Sequence, residues 1–265
     1  MSDPPPILTV DGGTETPPLE GAAVTTFVPR SGRSARIDDA IEWIEVLFAG
    51  DTSKGDGRRP YTAHLYTVAE IVDRYGGDED QIIAALLHDV VEDKGGAERL
   101  PEIEERFGEL VADIVDACTD SWVREPADKE RWWPRKVRYV RHIAEAPDPA
   151  VLVCAADKFA NATSTRDDFA KHGDRAFRVF DGGSGRDGQL WYYRRVVEEL
   201  AQREVDTGGL VADLVALVDS WVVEVEAGTS GPPLAGLYEA WCAAEADAAP
   251  TVGPAPERPT PRRRP

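Results

Sequence analysis

One segment constrains the fold more than any other: residues 79–93, EDQIIAALLHDVVED. Its first half is apolar on every side of a helix as far as His88, which predicts a helix that other elements surround. Asp78 and Gln81 carry the pattern of a helix N-cap and its answering residue, so we expect the helix to begin there. Because such a helix needs neighbours on all sides, the rest of the chain must build a bundle around it.

Helical spacing of apolar residues recurs along most of the sequence. Residues 36–48 and 61–75 each place their apolar side chains three or four positions apart. Further helices are predicted at 101–107, 109–121, 131–145, 149–164, 189–205, 209–227 and 233–246. No segment sustains the two-residue alternation of a half-buried strand. The sequence therefore predicts an all-α helical bundle.

Composition changes at both ends of the chain. Residues 1–34 are rich in Pro, Gly, Thr and Ser, and residues 249–265 in Pro and Arg, so both are predicted to be disordered tails. The main domain is expected over residues 35–205. Residues 206–248 are predicted to add helices that pack on this domain, with pairing to another protomer as the alternative.

Charge and composition exclude several classes of function. The chain has 30 basic and 49 acidic residues, a formal net charge of −19, which argues against binding DNA or RNA. No stretch approaches the about 18 apolar residues of a membrane-spanning helix, and no secretion signal is evident. The three cysteines show no close spacing of the kind that a zinc site or a disulfide framework requires: Cys118, Cys154 and Cys242. We therefore expect a cytoplasmic protein that binds neither nucleic acid nor a membrane.

Ionisable residues cluster where the buried helix ends. His88 and Asp89 are followed one turn later by Glu92 and Asp93. Charged groups entering a core are costly unless they are paired or bind a metal. At helical spacing His88 lies over Glu92 and Asp89 over Asp93, so the four side chains are expected to project together.

Two other apolar helices each add one candidate ligand. His64 lies among the apolar positions of its helix, and Asp157 follows the apolar run VLVCAA. A lone His on an apolar helix is usually a satisfied core residue, but three apolar helices with such residues favour a shared site. Nitrogen and oxygen donors of this kind suit Mn, Fe, Co or Zn and leave coordination positions open. We therefore predict a divalent metal site whose ligands are His64, His88, Asp89 and Asp157.

Other residues of these types are interpreted as structural. His142 and His172 lie in polar, charged segments and are predicted to be surface residues. Trp132 and Trp133 are expected to pack over the bundle.

Four motifs in this order resemble a known family: PYTAH, AALLHDVVED, the pair FG and TD within residues 103–120, and AADKFAN. Together they resemble the hydrolase half of the RelA/SpoT alarmone enzymes. The chain is most similar to the stand-alone small alarmone hydrolases of the Mesh type. The resemblance extends over residues 37–203.

The resemblance implies a function and a set of roles. The reaction would be hydrolysis of guanosine tetra- or pentaphosphate, with pyrophosphate leaving the ribose 3′ position and GDP or GTP remaining. The four predicted ligands would hold one Mn²⁺, and Glu92 and Asp93 would position and deprotonate the attacking water. The remaining implied residues would contact the substrate: Lys54, Arg58, Lys158 and Asn161.

Two alternatives stay open at this point. The same chemistry could act on another nucleotide, such as an adenosine polyphosphate or another nucleoside phosphate. The chain could also be an antitoxin that counters a toxic alarmone synthetase, which would make that toxin a partner. Assembly into a homo-oligomer is a further expectation that the sequence leaves undecided.

Overall fold

The computed structural model describes residues 26–30, 32–52, 59–180 and 184–227, with the side chains of Pro126, Arg178 and Val179 left aside. Its α-helices are α1 (Ala35–Leu47), α2 (Thr62–Arg74), α3 (Glu79–Leu87), α4 (Val90–Asp93), α5 (Arg99–Phe107), α6 (Glu109–Cys118), α7 (Trp132–Glu145), α8 (Asp148–His172), α9 (Gly185–Ala201) and α10 (Leu210–Ala227). No β-strand occurs in these ranges, so the predicted all-α class is confirmed. None of the helices described is both long and apolar enough to cross a membrane.

Helix α3 lies at the centre of the bundle, where it packs against α1, α2, α6 and α8. The predicted N-cap is confirmed. Asp78 accepts a hydrogen bond from the Gln81 backbone N–H at 2.9 Å, and Gln81 accepts one from the Asp78 N–H at 3.0 Å. The Gln81 side chain also donates to the Pro149 carbonyl at 2.9 Å. The same residue therefore starts α3 and fixes it to the start of α8.

The central helix ends earlier than predicted. A continuous helix to residue 93 was expected, whereas α3 ends at Leu87 and a turn at His88 and Asp89 precedes the short α4. Asp89 has φ −96° and ψ 0°, which departs from helical geometry. The Asp93 N–H still donates to the Asp89 carbonyl at 2.9 Å. The backbone therefore leaves regular helical geometry at Asp89, and the hydrogen bond from Asp93 to Asp89 starts α4 directly after it.

Helix α8 extends beyond the predicted 149–164 and reaches His172. It packs against α2, α3, α6 and α10. At its interface with α6, the buried thiols of Cys118 and Cys154 lie 3.4 Å apart. Their separation in the sequence gave no sign of this proximity. Cys242 lies outside the described residues.

Helix α10 completes the bundle beside α8 and α9. Trp221 is fully buried, stacks on Phe177 with ring centres 6.1 Å apart, and meets Tyr193 edge-on. Gly208 has a φ of +60°, and a Cβ there would lie 2.3 Å from the Tyr75 carbonyl, so only glycine allows this approach to the end of α2. The predicted helix at 209–227 is confirmed, whereas the predicted helix at 233–246 and the C-terminal tail lie outside the described residues.

The domain begins before its predicted boundary. Of the N-terminal segment predicted to be disordered, the structure describes residues 26–30 and 32–34. Phe27 is 3% exposed and belongs to the core. The Arg30 backbone N–H donates to the Asp73 carboxylate at 2.9 Å. Phe27 anchors this segment in the core, and the contacts of Arg30 with Asp73 fix it to α2, neither of which composition alone indicated.

Candidate metal centre and active site

His88 is fixed by the turn that ends α3. Its ring is 2% exposed, and Nδ1 lies 2.8 Å from the Ala85 carbonyl oxygen. Because a carbonyl only accepts hydrogen bonds, Nδ1 must carry the proton and donate it. When the ring is neutral, the lone pair of Nε2 therefore faces the interior, as a metal-ligating histidine requires.

His64 and Asp157 reach the same point from α2 and α8. Both side chains are largely buried. Asn161, one turn further along α8, donates its amide to Asp157 Oδ1 at 2.5 Å. Lys158 donates to the other carboxylate oxygen, Oδ2, at 2.5 Å. The carboxylate is thus held from two sides, with Oδ1 facing the histidines.

The donor atoms of the four predicted ligands converge. The Nε2 atoms of His64 and His88 lie 3.2 Å apart. Asp157 Oδ1 lies 3.3 Å and 3.6 Å from these two nitrogens, and Asp89 Oδ2 lies 3.6 Å and 3.1 Å from them, in the same order. Ligand atoms bound at about 2.1 Å from one metal are separated by about 3.0 Å at octahedral angles and about 3.4 Å at tetrahedral angles. His64, His88 and Asp89 form a possible metal site, and Asp157 Oδ1 adds a fourth donor atom beside it.

The two buried carboxylates of this cluster are stabilised by positive charge placed near them. Burial disfavours a charged His88 ring, yet Asp89 and Asp157 raise its pKa well above the usual range. Burial opposes ionisation of Asp89 as well, but the adjacent His88 holds the pKa of that carboxyl well below its usual range. A divalent cation supplies the same charge while leaving the imidazoles neutral. The donor set therefore fits a divalent metal.

Tyr61 was not predicted as a site residue. It precedes α2, and its hydroxyl lies 2.7 Å from Asp89 Oδ2 and 3.2 Å from Asp93 Oδ2. Burial, and then the negative charge of Asp89, raises its pKa well above the usual range, so the hydroxyl keeps its proton and donates it. Tyr61 thus orients the carboxylate of a predicted metal ligand. The signal that could have identified Tyr61 is its place in the motif PYTAH, three residues before His64.

Glu92 and Asp93 lie on α4, one turn beyond the cluster. Lys129 lies between them, with Nζ 3.3 Å from a carboxylate oxygen of each. Arg135 Nη1 lies 3.9 Å from Glu92 Oε1. Neither Lys129 nor Arg135 was predicted from the sequence as a site residue. The available signal was that an acidic pair beside a core needs counter-charges, which the segment KERWWPRK contains.

Glu92 has the electrostatic character of a proton acceptor. Burial, and then the charge of Asp120, raises its pKa to about 7, although Lys136 and Lys129 act in the opposite direction. A carboxyl with such a pKa exchanges protons readily near neutral pH. The arrangement can therefore bind a divalent ion and remove a proton from a neighbouring water.

The four residues predicted to contact the substrate divide into two groups. Lys54 and Arg58 lie outside the described residues. Lys158 and Asn161 both donate to Asp157, and Lys158 is only 7% exposed. Their observed contacts orient the carboxylate of Asp157, a predicted metal ligand.

One structural interpretation was wrong. His142, predicted to lie on the surface, is 7% exposed; its Nε2 lies 3.3 Å from the Asp116 carbonyl oxygen and its ring meets Trp122 edge-on. It is buried because it shares the inner face of α7 with Tyr139 and Ile143. His172 is exposed at the end of α8, as predicted.

Comparison with known proteins gives one family and several relatives. A family model described as HD domain matches residues 40–180. The chain is 34% identical over 133 residues to guanosine-3′,5′-bis(diphosphate) 3′-pyrophosphohydrolase MESH1 of Xenopus tropicalis, covering 49% of this chain and 70% of that protein. For MESH1 of Danio rerio the identity is 38% over 104 residues, covering 38% of this chain and 53% of the relative. A probable GTP pyrophosphokinase of Mycobacterium leprae is 33% identical over 165 residues, covering 60% of this chain but 20% of the relative. The chain thus spans about half of the Danio rerio protein and a fifth of the Mycobacterium leprae protein.

Two solved structures share the helical architecture. The structure of a metazoan ortholog of SpoT that hydrolyses ppGpp has a TM-score of 0.52 at 23% identity, covering 69% of this chain and 96% of that one. The structure of lmo0812 from Listeria monocytogenes EGD-e has a TM-score of 0.50 at 26% identity, covering 61% of this chain and 99% of that one. The likeness covers nearly the whole of both neighbours.

Proposed function

Because the chain belongs to the HD domain family and is a relative of the Mesh-type alarmone hydrolases, we propose that it hydrolyses guanosine 3′,5′-bis(diphosphate) and its pentaphosphate analogue. The products are pyrophosphate and GDP or GTP. One observation carries the proposal. The Nε2 atoms of His64 on α2 and His88 in the α3–α4 turn each lie within 3.6 Å of Asp89 Oδ2 and of Asp157 Oδ1 on α8, and the acidic pair Glu92 and Asp93 lies one turn away.

The proposed cofactor is one Mn²⁺ held by His64, His88, Asp89 and Asp157. When bound, such an ion makes water a stronger acid and offsets negative charge on the phosphate oxygens. The donor set supports a divalent transition metal, since imidazole nitrogen and carboxylate oxygen suit Mn and its neighbours.

The residues around the cluster supply the proton chemistry. In the proposed reaction, the water oxygen bonds to the phosphorus next to the ribose 3′ oxygen, and the bond between that phosphorus and the 3′ oxygen breaks. Glu92 accepts a proton from the water, and Asp93 orients it. The 3′ oxygen takes up a proton from solvent, so the products are a 3′-hydroxyl and pyrophosphate. A pKa of about 7 supports Glu92 as the acceptor.

Substrate contacts follow from the family pattern and the geometry together. Lys54 and Arg58 are proposed to contact the nucleotide on the strength of the pattern alone. Asn161 and Lys158 are proposed to act at the boundary between substrate and metal, because both hold the Asp157 carboxylate.

The setting of the protein is part of the proposal. A nucleotide polyphosphate is its small-molecule partner, and we place the reaction in the cytoplasm. Neutralisation of a toxic alarmone synthetase and assembly of several copies stay predictions.

A nucleotide panel with product identification tests this function. The full chain with Mn²⁺ is incubated with guanosine tetra- and pentaphosphate, the adenosine analogue and nucleoside 5′-phosphates, and the products are separated by anion-exchange chromatography. We expect pyrophosphate and GDP or GTP from the guanosine substrates, and no turnover in His88→Ala or Asp89→Ala. His172→Ala, at an exposed histidine, is the matched control and should keep its activity. Intact guanosine tetraphosphate alongside cleavage of another nucleotide would overturn the proposal.

A further inference from the structure

Asp120 lies just beyond α6, and its side chain is 3% exposed. Its Oδ2 accepts a hydrogen bond from the guanidinium of Arg135 and another from Nζ of Lys136, the latter at 2.6 Å. We call these three residues the Asp120 cluster. Within the part of the chain that the structure describes, Asp120 Oδ1 and Arg135 Nε have no hydrogen-bond partner. The cluster thus retains both charge and hydrogen-bonding capacity.

The charges of the cluster do not cancel. Within the cluster one carboxylate faces two cations, and the next carboxylate is that of Glu92, whose Oε1 lies 3.9 Å from Arg135 Nη1. Lys136 Nζ lies 4.7 Å from the ring centre of Tyr192, and Lys158 Nζ lies 5.9 Å from the same ring. Two ammonium groups therefore approach one aromatic side chain. Lys136 pairs with Asp120 and Lys158 pairs with Asp157, so both ammonium groups keep their charge beside this ring.

The cluster adjoins the candidate active site through Arg135. Arg135 Nη1 lies 3.9 Å from Glu92 Oε1, and Glu92 follows the turn that carries His88 and Asp89. The side chains of Arg135 and Lys136 are 14% and 17% exposed, so each keeps some access to solvent. A guanidinium beside an ammonium presents several N–H donors to one group of phosphate oxygens.

We infer that Arg135 and Lys136 bind the distal phosphate of a diphosphate group whose nearer phosphate lies at the metal centre. This inference rests on the proposed function and names the part of the substrate that these residues recognise. Asp120 touches no substrate atom and is a positioning residue, because it holds both cations by one oxygen. The chemical class that the subsite accepts is a terminal phosphate of a diphosphate, and inorganic pyrophosphate is its smallest member.

Calorimetric titration of the full chain with inorganic pyrophosphate, at a fixed concentration of free Mn²⁺, tests the subsite without turnover. Arg135→Ala and Lys136→Ala should each weaken pyrophosphate binding by about tenfold, the effect of losing one charge-assisted hydrogen bond. Orthophosphate has no second phosphate, so its affinity should change by less than about twofold in both variants. Arg135→Lys keeps the charge but loses the planar fork, and it should weaken pyrophosphate binding less than Arg135→Ala does.

Arg195→Ala is the matched control, since Arg195 on α9 also pairs with acidic side chains but contacts only Glu198 and Glu199. It should bind pyrophosphate as the unmodified chain does. Asp120→Asn tests the positioning role. It should weaken pyrophosphate binding. In the pH profile of kcat/KM it should also move the rising limb to lower pH, because it removes a negative charge that raises the pKa of Glu92. The shift of the limb reports the charge of Asp120 on Glu92, and the loss of affinity reports its hold on the two cations. Unchanged pyrophosphate affinity in a folded Asp120→Asn protein would remove the positioning role.

Folding of each variant is checked by its thermal unfolding curve. Unchanged pyrophosphate affinity in folded Arg135→Ala and Lys136→Ala proteins overturns the subsite, whatever the activity. Selective loss of pyrophosphate binding in a protein that leaves guanosine tetraphosphate intact supports the subsite and contradicts the proposed function instead. Equal losses for orthophosphate and pyrophosphate would place the two cations at the nearer phosphate and overturn the assignment to the distal one.

Discussion

Tyr61 donates its hydroxyl to Asp89 Oδ2 across 2.7 Å, from the residue that precedes α2 to the turn that ends α3. Groups that orient a metal ligand commonly contribute about tenfold to a hundredfold in metal affinity. We therefore expect Tyr61→Phe to weaken Mn²⁺ binding by about that factor, as measured by calorimetry. Tyr66→Phe is the matched control, because Tyr66 also donates to a carboxylate, that of Glu45, away from the site. Equal Mn²⁺ affinities in the two variants would contradict the role of Tyr61.

Metal removal should affect stability as well as activity. Treatment with EDTA should abolish hydrolysis, and Mn²⁺ should restore it. A ligand that binds only the folded state at a hundred times its Kd stabilises that state by about 2.7 kcal/mol. The unfolding temperature should therefore rise when Mn²⁺ is added to the chelated protein. His64→Ala should lose this rise and exposed His172→Ala should keep it; a metal-independent unfolding temperature in the unmodified chain would argue against the site.

Glu92→Gln separates metal binding from proton transfer. The amide keeps the size of the side chain but cannot accept the proton, so turnover should fall by about a hundredfold to ten-thousandfold. Mn²⁺ affinity, measured by calorimetry, should change little, because Glu92 is not among the four proposed ligands. Glu98→Gln, at an exposed acid paired with Arg124, serves as the control and should retain full turnover. Normal turnover in Glu92→Gln would remove Glu92 from the mechanism.

The pH profile should report the same carboxyl. Because the pKa of Glu92 is raised to about 7 and the base must be ionised, kcat/KM should rise with pH through this region. Lys129 lowers the pKa of Glu92, so Lys129→Ala should move the rising limb to higher pH. Lys171→Ala, at an exposed position near the end of α8, should leave the limb in place. A limb that does not move in Lys129→Ala would show that another group controls it.

Helix α10 should behave as an integral part of the domain. Trp221 is fully buried, and truncation of such a side chain costs about 3–5 kcal/mol. Trp221→Ala should lower the free energy of unfolding by that amount in chemical denaturation. Val223→Ala, on the same helix but 65% exposed, should change it by less than about 0.5 kcal/mol. Similar unfolding curves for both variants would mean that α10 contributes little to the core.

Much of the fold could be predicted because helical periodicity is a local property. The apolar spacing along residues 79–87 predicted the buried helix, and Asp78 with Gln81 predicted where it begins. The end of that helix could not be read in the same way. His88 bonds to the Ala85 carbonyl and Asp89 to Tyr61, and these contacts accompany a turn where the pattern indicated a continuous helix.

The sequence by itself determined the helical class and the identities of the candidate ligands, since periodicity and residue type are written into short segments. Only the tertiary structure decided which atoms meet. His64 Nε2 and Asp157 Oδ1 lie 3.3 Å apart although their helices are far apart in the chain. This contact depends on which faces of those helices pack together. The burial of His142 and the pairing of Asp120 with two cations depend on the same packing. No single segment encodes these contacts, because each one arises from the combined fit of several helices around α3.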